Sequence, residues 1–373
     1  MSLMLPSLES ANVNEKRVFV RCDFDVPLSE QPASPAGRST INNQQLTVAD
    51  DTRLVSAVST IEYLLEQGAT VIAAGHLGRP GDQYQISNIK SQMFENEFSL
   101  RPIAEWFAEE FPGASLYKMQ LNGFPAWQIK RNFYILENLR LFDGEEANSQ
   151  EFAEKLADLA DIYINEAFGS SHRAHTSMIG VPKLLPHYAG FHLSKEVKIL
   201  SNLLANPKRP LTIIVGGAKI ETKLPLVSKM HSFADYVLVG GELAEQDKIL
   251  IKEQHKDITS QKALLIVADL NKDKSDITNM SLENFLQIIS RSKCVVWNGP
   301  LGFIEEGMVE SSLKLAEAII ASSAYKVVGG GDTVAFLNQH NLLSKFDFVS
   351  TGGGAMLQFL SGKSLPGIIA LQN

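Results

Sequence analysis

The chain has 373 residues, of which 45% are hydrophobic and 20% charged, so it is globular and long enough for two domains of ordinary size. Its net charge of -8 at pH 7 argues against a nucleic-acid partner held by bulk electrostatics. A site for an anionic ligand must therefore be built by a local cluster of Lys and Arg.

The first half of the chain alternates short apolar runs, typical of strands, with segments in which apolar residues recur at helical spacing. The predicted strands are Arg17–Phe24, Thr70–Ala74, Phe133–Leu136 and Ile162–Asn165. The predicted helices are Asp51–Gln67, Leu100–Phe111 and Glu151–Leu159. This alternation predicts a parallel sheet with helices on both faces.

Three segments interrupt the alternation. Ser29–Val48 and Gly81–Asn96 are polar and unpatterned, and we interpret both as surface loops. Val181–Ala189 is irregular, and a predicted helix over Ser194–Ala205 follows it. We interpret that helix as a bridge between two domains.

The second half repeats the alternation of strands and helices. Its predicted strands are Leu211–Val215, Tyr236–Val239, Ala263–Val267, Cys294–Trp297, Tyr325–Val328 and Phe348–Ser350. Its predicted helices include Glu310–Ala321, Ala355–Leu360 and one that opens near Thr222. The predicted fold class is α/β, with two Rossmann-like parallel-sheet domains, each a three-layer α/β/α arrangement, joined by a helical hinge. The predicted domains are residues 1–189, on which the tail 362–373 packs back, and residues 190–361, which include the interdomain helix.

Glycines follow the predicted strands of the second half. They are Gly216-Gly217, Gly240-Gly241, Gly299-Pro300, Gly329-Gly330-Gly331 and Gly352-Gly353-Gly354. In an open parallel sheet the carboxyl ends of the strands form one edge, where ligands bind and where glycine lets backbone N–H groups approach a phosphate. Lys219 and Lys223 lie just beyond the first pair, within LTIIVGGAKIETK. Neither a Gly-x-Gly-x-x-Gly motif nor a Walker A loop is present, so this is a nucleotide-type edge without either common fingerprint.

The first half instead places arginine and histidine after its strands. These residues are Arg21, His76 and Arg79 in HLGRP, Arg140, and His172, Arg173 and His175 in SHRAH, with Arg53 at the start of the first helix. Guanidinium groups bind phosphate and carboxylate through two parallel hydrogen bonds, so the cluster suits a small polyanion. A metal site at His172 and His175 is disfavoured because Arg173 lies between them and a third ligand is missing. One half thus offers a nucleotide edge and the other a small-anion edge, which suits phosphoryl transfer between two substrates.

The two cysteines, Cys22 and Cys294, lie in apolar runs and indicate buried free thiols in a reducing compartment. The start MSLMLPSLES has no basic region followed by a long apolar core, and no run of about 18 apolar residues occurs. We expect a cytoplasmic protein without a signal peptide or a transmembrane helix.

From end to end the chain resembles the phosphoglycerate kinase family. The blocks that carry the resemblance are RCDFDVPL, DDTRL, GHLGRP, EFSLRPIAEWF, LENLRLFDGEE, YINEAFGSSHRAH, AGFHLSKE, IIVGGAKIETK, VVWNGPLG, VVGGGD, STGGGA and GKSLPG. The resemblance implies a monomer that reversibly transfers the acyl phosphate of 1,3-bisphosphoglycerate to ADP, giving ATP and 3-phosphoglycerate in glycolysis and gluconeogenesis. It also implies a hinge that closes when both substrates are bound.

The resemblance further assigns roles to residues of this chain. The phosphoglycerate site would comprise Arg21, Asp23, Asp25, Arg53, His76, Arg79, Arg140 and Arg173. The nucleotide site would comprise Gly217, Ala218, Lys219, Lys223, Gly240, Gly241, Asn298, Pro300, Glu305, Gly330, Gly331, Asp332 and Thr333. The catalytic residues would be Arg21, Lys219, Gly353 and Gly354, and Asp332 would hold Mg²⁺ of Mg-ADP or Mg-ATP.

The chain departs from the family pattern at several positions. The family usually has Asn where this chain has Asp25, an acidic residue where it has Thr222, and an acidic residue where it has Gln358. Two alternatives follow from a different reading of the same residues. One is a phosphoglycerate-kinase-like binding or scaffold protein with weakened catalysis, and the other is a dinucleotide-dependent oxidoreductase with two Rossmann-type domains.

Overall fold

The computed structural model describes residues 4–32, 44–80, 97–217, 227, 229–244 and 263–372 and divides the chain into two units. The first unit comprises Met4–Val197 and Leu365–Asn373, and the second comprises Lys198–Ser364. The units divide within the helix Phe191–Ala205. The domain bounds 1–189 and 190–361, with the tail 362–373, stay a prediction.

Nine strands belong to the first unit. They are β1 (Arg17–Arg21), β2 (Leu28–Pro32), β3 (Gln44–Val48), β4 (Thr70–Ala74), β5 (Tyr117–Leu121), β6 (Phe124–Lys130), β7 (Phe133–Leu136), β8 (Ile162–Asn165) and β9 (His187–Ala189). Seven of them form one sheet in the order β5-β6-β7-β4-β1-β8-β9. The run β7-β4-β1-β8-β9 is parallel, in the register that pairs Val18 with Val71 on one side and with Ile162 on the other. Strands β1, β4 and β8 are buried along nearly their whole length, as expected for a sheet covered on both faces.

Amphipathic helices cover this sheet. The helix Thr52–Glu66 buries Leu54, Ala57, Ile61 and Leu64, which recur every three to four residues, and so packs one apolar stripe on the core. The other helical segments described in this unit are Leu8–Ser10, Arg101–Glu110, Leu139–Leu141, Asp143–Glu146, Gln150–Ala157, a π-helix at Thr176–Gly180, Val181–Lys183, the start of Phe191–Ala205, and Pro366–Ile369. The predicted helices agree with the structure to within a few residues at their ends.

Two parts of the first unit differ from the sequence interpretation. The predicted loop Ser29–Val48 carries the antiparallel pair β2–β3 at its ends, and β9 lies within the segment interpreted as irregular. The structure also adds β5 and β6, an antiparallel hairpin at the sheet edge. Asn122 and Gly123 connect these two strands, both with positive φ, which is the turn chemistry that a two-residue hairpin requires. The predicted loop Gly81–Asn96 lies outside the described residues.

The second unit has a six-stranded, fully parallel sheet. Its strands are β10 (Leu211–Val215), β11 (Tyr236–Val239), β12 (Leu264–Val267), β13 (Cys294–Asn298), β14 (Tyr325–Gly329) and β15 (Phe348–Ser350). Their order is β12-β11-β10-β13-β14-β15. The described helical segments are Asn279–Arg291, Ile304–Glu306, Glu310–Ala321, Gly331–Gln339, Leu343–Lys345 and Gly354–Leu360. The predicted fold class of two parallel-sheet α/β units is confirmed.

Candidate active site

The sheet order of the first unit brings the predicted anion-binding residues to one edge. The neighbouring strands β7, β4, β1 and β8 run parallel, so their carboxyl ends lie side by side. Each of these strands is followed by site residues: Arg140 after β7, His76 and Arg79 after β4, Asp23 and Asp25 after β1, and Arg173 after β8. Arg21 is the last residue of β1 and Arg53 lies in the first turn of the helix Thr52–Glu66. We call Arg21, Arg53, His76, Arg79, Arg140 and Arg173 the cationic cluster.

Arg21 is fully buried and its guanidinium contacts three other residues. Its Nε donates to Ser177 Oγ at 2.8 Å, and its Nη2 lies 3.0 Å from His76 Nδ1. Its Nη1 donates to the backbone carbonyl of Cys22. A planar group held at three nitrogens cannot rotate, so Arg21 presents a fixed positive charge at the end of β1.

Asp25 links three members of this edge. Its Oδ1 accepts a hydrogen bond from the backbone N–H of Gly78 at 2.9 Å, and its Oδ2 lies 3.7 Å from His76 Nε2. Its backbone carbonyl accepts from the guanidinium of Arg53. Asp25 is thus a structural partner of the loop that carries His76 and Arg79, as well as a negative charge within the cationic cluster.

A cavity of about 480 Å³ lies at this edge, lined by Arg79, Pro80, Arg140, Glu146, His172 and Arg173. Arg140 donates to the carbonyl of Gly78, and its Nε lies 2.9 Å from a carboxylate oxygen of Glu146. Its Nη2 is buried with no hydrogen-bond partner in the described part of the chain. Burial and the nearby Arg173 lower the pKa of Arg140 to about 10, so the side chain stays charged at neutral pH. Three arginines and an orphaned donor at one cavity suit a ligand with several anionic oxygens.

The histidines of this edge are uncharged at neutral pH. Burial, with the charges of Arg21 and Arg140, holds the pKa of His76 well below its usual value. Burial, with the same two arginines, lowers the pKa of His175 to about 3, and burial beside Arg173 also lowers that of His172. Neutral imidazoles can donate one hydrogen bond and accept another without adding to the repulsion among the arginines.

Several polar atoms at this edge are buried and have no hydrogen-bond partner among the described residues. In the parts of the chain that the structure describes, Asp23 Oδ2, His76 Nε2 and His175 Nδ1 are buried without a hydrogen-bond partner. Buried polar atoms are nearly always paired in folded proteins, because leaving one unpaired costs its desolvation free energy. Asp23 is otherwise held by Ser170, whose hydroxyl donates to its Oδ1 at 3.2 Å.

Several supporting residues at this edge were missed by the sequence analysis. Ser177 accepts a hydrogen bond from Arg21 and donates one to Glu145, and Glu146 pairs with Arg140. Glu137 is a fourth such residue, and its buried carboxylate accepts from Trp127 and Ser99. The acidic run Asp143–Glu146, only a few residues after Arg140, is the one signal that could have suggested a countercharge. No sequence pattern indicates that Ser177 lies against Arg21.

The second unit brings the glycine turns to one edge of its sheet. The turns at Gly216–Gly217, Gly240–Gly241, Gly299–Pro300, Gly329–Gly331 and Gly352–Gly354, which we call the glycine edge, follow the adjacent strands β10, β11, β13, β14 and β15. They pack closely on one another. A Cβ atom on Gly216 would lie 2.1 Å from the carbonyl oxygen of Pro300, and one on Gly241 would lie 2.6 Å from the backbone nitrogen of Gly217. Larger residues would therefore push the turns apart.

Asn298 lies at the centre of the glycine edge, and its side chain is buried. Its Nδ2 donates to the carbonyl of Gly353 at 3.3 Å, and a Cβ on Gly330 would lie 3.2 Å from its Oδ1. Thr333 accompanies it, because its hydroxyl accepts from the backbone N–H of Gly299 at 2.8 Å. Nearby, the fully buried Trp297 donates its indole N–H to the carbonyl of Gly299 at 2.8 Å. Side chains thus cross-link three neighbouring turns.

Asp332 is exposed in the first turn of the helix Gly331–Gln339. The N-cap of this helix is Gly330, which has no side chain to cap the first N–H groups. Among the described residues, a Cβ at Gly331 would meet nothing within 4 Å, and the same holds for Gly354 at the start of the helix Gly354–Leu360. Such a terminus attracts anions through its free N–H groups. Glu305 is exposed in the short 3-10 helix Ile304–Glu306.

Three predicted nucleotide residues, Ala218, Lys219 and Lys223, lie outside the described residues. Within the described residues, no group of three or more His, Cys, Asp or Glu is arranged to hold a metal ion. Both cysteines are buried and unpaired. No helix in the described ranges is both long and apolar enough to cross a membrane.

The comparison with family models decides the relationship. The model described as phosphoglycerate kinase matches residues 8–263 and 245–363, which together span most of the chain. The chain belongs to the phosphoglycerate kinase family. Its predicted class of enzyme, a phosphotransferase, is thereby confirmed, and the alternative of a dinucleotide-dependent oxidoreductase is wrong.

Curated phosphoglycerate kinases resemble the chain over its length. The phosphoglycerate kinase of Borreliella burgdorferi (strain ZS7) is 34% identical over 410 residues, covering 96% of each chain. That of Desulforudis audaxviator (strain MP104C) is 34% identical over 421 residues, covering all of both chains.

Solved structures of phosphoglycerate kinases resemble the structure of this chain. The enzyme from Coxiella burnetii is 29% identical with a TM-score of 0.74, and 99% of each chain is covered. The phosphoglycerate kinase of Pyrococcus horikoshii OT3 has a TM-score of 0.78 over 99% of this chain and 98% of its own, and its identity of 24% supports the fold alone.

Proposed function

We propose that this chain reversibly transfers the acyl phosphate of 1,3-bisphosphoglycerate to ADP, giving 3-phosphoglycerate and ATP, with the phosphoglycerate bound by the cationic cluster and the nucleotide by the glycine edge. The observation that carries the proposal is the cavity lined by Arg79, Arg140 and Arg173, whose charges are only partly balanced by Glu146. A phosphoglycerate carries a phosphate and a carboxyl group, and guanidinium groups bind both.

In the phosphoglycerate site, the arginines differ in how they are held. Arg79 is exposed and free to meet an incoming anion, whereas Arg21 and Arg140 are buried and fixed. Asp23, Asp25, Arg53 and His76 complete this proposed set. The orphaned Nη2 of Arg140 and Nε2 of His76 are donors that a bound oxygen would satisfy.

In the proposed nucleotide site, backbone N–H groups do most of the binding. Gly217, Gly240, Gly241, Pro300, Gly330 and Gly331 border the nucleotide together with Thr333. Asn298 approaches the phosphates and Glu305 meets the ribose. Ala218, Lys219 and Lys223 belong to the same set, although the structure does not describe them. The close packing of these turns needs glycine, because a Cβ on Gly216 would lie 2.1 Å from the carbonyl oxygen of Pro300 and one on Gly241 would lie 2.6 Å from the backbone nitrogen of Gly217.

Asp332 fits a role as the protein ligand of Mg²⁺. Its exposed carboxylate has no ion pair or hydrogen bond among the described residues, and Mg²⁺ is usually bound by one or two carboxylates plus substrate phosphates. When bound, Mg²⁺ would neutralise part of the charge on the nucleotide phosphates.

Phosphoryl transfer needs alignment and charge compensation more than covalent help from the protein. In the proposed mechanism Arg21 supplies a fixed positive charge at the phosphoglycerate and Lys219 supplies one at the nucleotide. Gly353 and Gly354 present the N-terminus of the helix Gly354–Leu360 to the transferring group, where no side chain obstructs its approach. The neutral His76 contributes a hydrogen bond without a charge.

The test is a coupled assay with 3-phosphoglycerate, ATP and Mg²⁺. Turnover by the wild type is expected, and Arg173→Ala should raise the KM for 3-phosphoglycerate roughly tenfold or more, because a charged hydrogen bond is lost. Arg131→Ala, at an exposed position outside the cluster, is the matched control and should leave the KM unchanged. Nucleotide binding without turnover would instead favour a catalytically weakened binding or scaffold protein.

The proposal includes a cytoplasmic monomer that acts in glycolysis and gluconeogenesis. Sedimentation equilibrium should give a mass near 41.0 kDa. Hinge-bending about the helix near Ser194–Ala205 stays a prediction.

A further inference from the structure

Arg21 has an indirect countercharge. Within the described residues its guanidinium touches no carboxylate, although both Arg21 and Glu145 are fully buried. Ser177 joins them: Arg21 Nε donates to Ser177 Oγ at 2.8 Å, and Ser177 Oγ lies 2.5 Å from Glu145 Oε1. The backbone N–H of Ser177 donates to the second carboxylate oxygen of Glu145 at 3.0 Å.

The direction of these hydrogen bonds is fixed by chemistry. Arginine can only donate, so the oxygen of Ser177 accepts from Arg21 and its own proton points to Glu145. Both oxygens of Glu145 then accept, as an ionised carboxylate does. Burial raises the pKa of Glu145, and the charge of Arg21 and the two hydrogen bonds from Ser177 oppose that rise. A buried guanidinium destabilises the fold unless a negative charge lies nearby. Ser177 connects Arg21 to the carboxylate of Glu145 without a direct ion pair. Among the described residues, no carboxylate contacts the side of Arg21 that faces His76.

Because arginine only donates, Arg21 also determines which ring nitrogen of His76 carries the proton. Its Nη2 lies 3.0 Å from His76 Nδ1, and because arginine donates, Nδ1 accepts. A neutral imidazole that accepts at Nδ1 carries its proton on Nε2. That nitrogen is buried and has no hydrogen-bond partner in the described chain, since Asp25 Oδ2 is 3.7 Å away. The N–H at Nε2 is therefore available to an oxygen of a ligand.

We propose that Glu145 and Ser177 are positioning residues that orient Arg21 and, through it, hold His76 as the Nε2–H tautomer, a neutral hydrogen-bond donor to the bound anion. The catalytic consequence rests on the proposed function, whereas the tautomer does not depend on it. His76 on this basis is a donor to substrate and not a general base, because Nδ1 is occupied by Arg21 and Nε2 carries the proton.

The direct test is the ¹⁵N spectrum of the histidine rings in the ligand-free full-length protein, with the His76 signals identified by their loss in His76→Gln. At neutral pH the wild type should show a protonated Nε2 and an unprotonated Nδ1 for His76. A protonated Nδ1, or a doubly protonated ring, would overturn the proposal whatever the activity of the protein.

Ser177→Ala and Glu145→Gln test the two links separately. Ser177→Ala removes the partner of Arg21 Nε and of Glu145 Oε1, while the backbone N–H of residue 177 still donates to the other oxygen of Glu145. Arg21 should then lose its orientation and His76 should become a mixture of tautomers. The kcat/KM for 3-phosphoglycerate should fall roughly tenfold or more with the KM for ATP unchanged, since a hydrogen bond to a charged group is lost. Glu145→Gln keeps the shape, so it should give a smaller shift of the same kind.

Glu166→Gln is the matched control. Glu166 is likewise a buried carboxylate, which accepts from Thr60 and from the backbone at the start of the helix Phe191–Ala205, and among the described residues it makes no hydrogen bond to the side chain of Arg21. Its backbone N–H donates to the carbonyl of Arg21 at 2.9 Å, and Glu166→Gln keeps that bond. Its loss should lower stability and leave the His76 spectrum as in the wild type. If Ser177→Ala and Glu145→Gln keep the wild-type His76 spectrum, the link from Glu145 to His76 is overturned. If Ser177→Ala does not fold, Glu145→Gln and the wild-type spectrum decide the question alone.

Discussion

The carboxylate of Asp25 accepts a hydrogen bond from the backbone N–H of Gly78 at 2.9 Å, which ties the end of β1 to the loop after β4. An asparagine could make the same bond, because its side-chain oxygen is also an acceptor. The hydrogen bond therefore does not require a negative charge at this position.

Asp25→Asn should keep the fold and lower the KM for 3-phosphoglycerate roughly threefold to tenfold, because one negative charge leaves a site that binds an anion. The kcat should stay within about an order of magnitude. The measurement is steady-state kinetics at neutral pH. Glu62→Gln, on the exposed face of the helix Thr52–Glu66, removes the same charge elsewhere and is the control. Loss of activity in Asp25→Asn would give Asp25 a chemical role beyond this bond.

Lys219→Ala should lower kcat by roughly 10³ or more, by analogy with cationic groups that stabilise phosphoryl-transfer transition states. Lys219 lies outside the described residues, so this prediction rests on its place in the motif after Gly216-Gly217. Lys229→Ala, an exposed lysine in the same unit, should leave kcat unchanged. A loss of less than tenfold in a folded Lys219→Ala variant would exclude the proposed role.

Asn298→Ala should raise the KM for ATP roughly tenfold and leave the KM for 3-phosphoglycerate unchanged. The side chain of Asn298 donates to the carbonyl of Gly353 and lies beside Gly330, and a carbonyl that loses its donor costs a comparable free energy. Asn338→Ala, at an exposed position on the helix Gly331–Gln339, is the matched control. Equal effects on both KM values would mean that Asn298 supports the fold and not the nucleotide.

Stability should depend on pH through His175. The pKa of His175 is lowered from 6.5 to about 3 by burial and by Arg140, so the folded state binds fewer protons than the unfolded state between these values. Its contribution to stability is present above about pH 6.5 and is lost as the pH falls toward about 3. Burial alone would lower the pKa of His192, but its hydrogen bond to Glu196 raises it overall. The contribution of His192 to stability is therefore present at low pH and is lost as the pH rises.

Urea unfolding at several pH values measures this dependence. The wild type should lose stability more steeply between about pH 6 and pH 4 than His175→Gln, in which the group that must charge is missing. Identical slopes for the two proteins would show that His175 is accessible to protons in the folded state.

The sequence predicted the six strands of the second sheet and β1, β4, β7 and β8 of the first, because buried parallel strands are short, apolar and flanked by glycine or charge, as Leu211–Val215 is. It did not predict β5, because Lys118 and Gln120 make that strand look polar, although Asn122-Gly123 is a strong hairpin signal. The cationic cluster was predictable because residues after parallel strands share an edge. Which strands are neighbours could not be predicted, since that order is set by tertiary packing.

The residues that orient the side chains of the cationic cluster could not be predicted from sequence patterns. Glu145 and Ser177 are 32 residues apart and come from a short helix and a π-helix, so only the folded chain brings them together. The predicted roles of Lys219, Ala218 and Lys223 stay predictions for a different reason, because the structure does not describe these residues. Asp25, in contrast, was singled out by sequence, and the structure adds the partner that explains how the fold accommodates it.

The indole of Trp297 has a practical consequence. The chain has three tryptophans, of which Trp106 and Trp127 lie in the first unit, and Trp297 lies in the second with its N–H bonded to Gly299 within the glycine edge. Intrinsic fluorescence can therefore be divided between the units: a Trp297→Phe protein emits only from the first unit, and a protein with Trp106 and Trp127 replaced emits only from the second. The unfolding of each unit can then be followed by its own tryptophan fluorescence. The fluorescence of Trp297 should also report a ligand that binds next to Gly299.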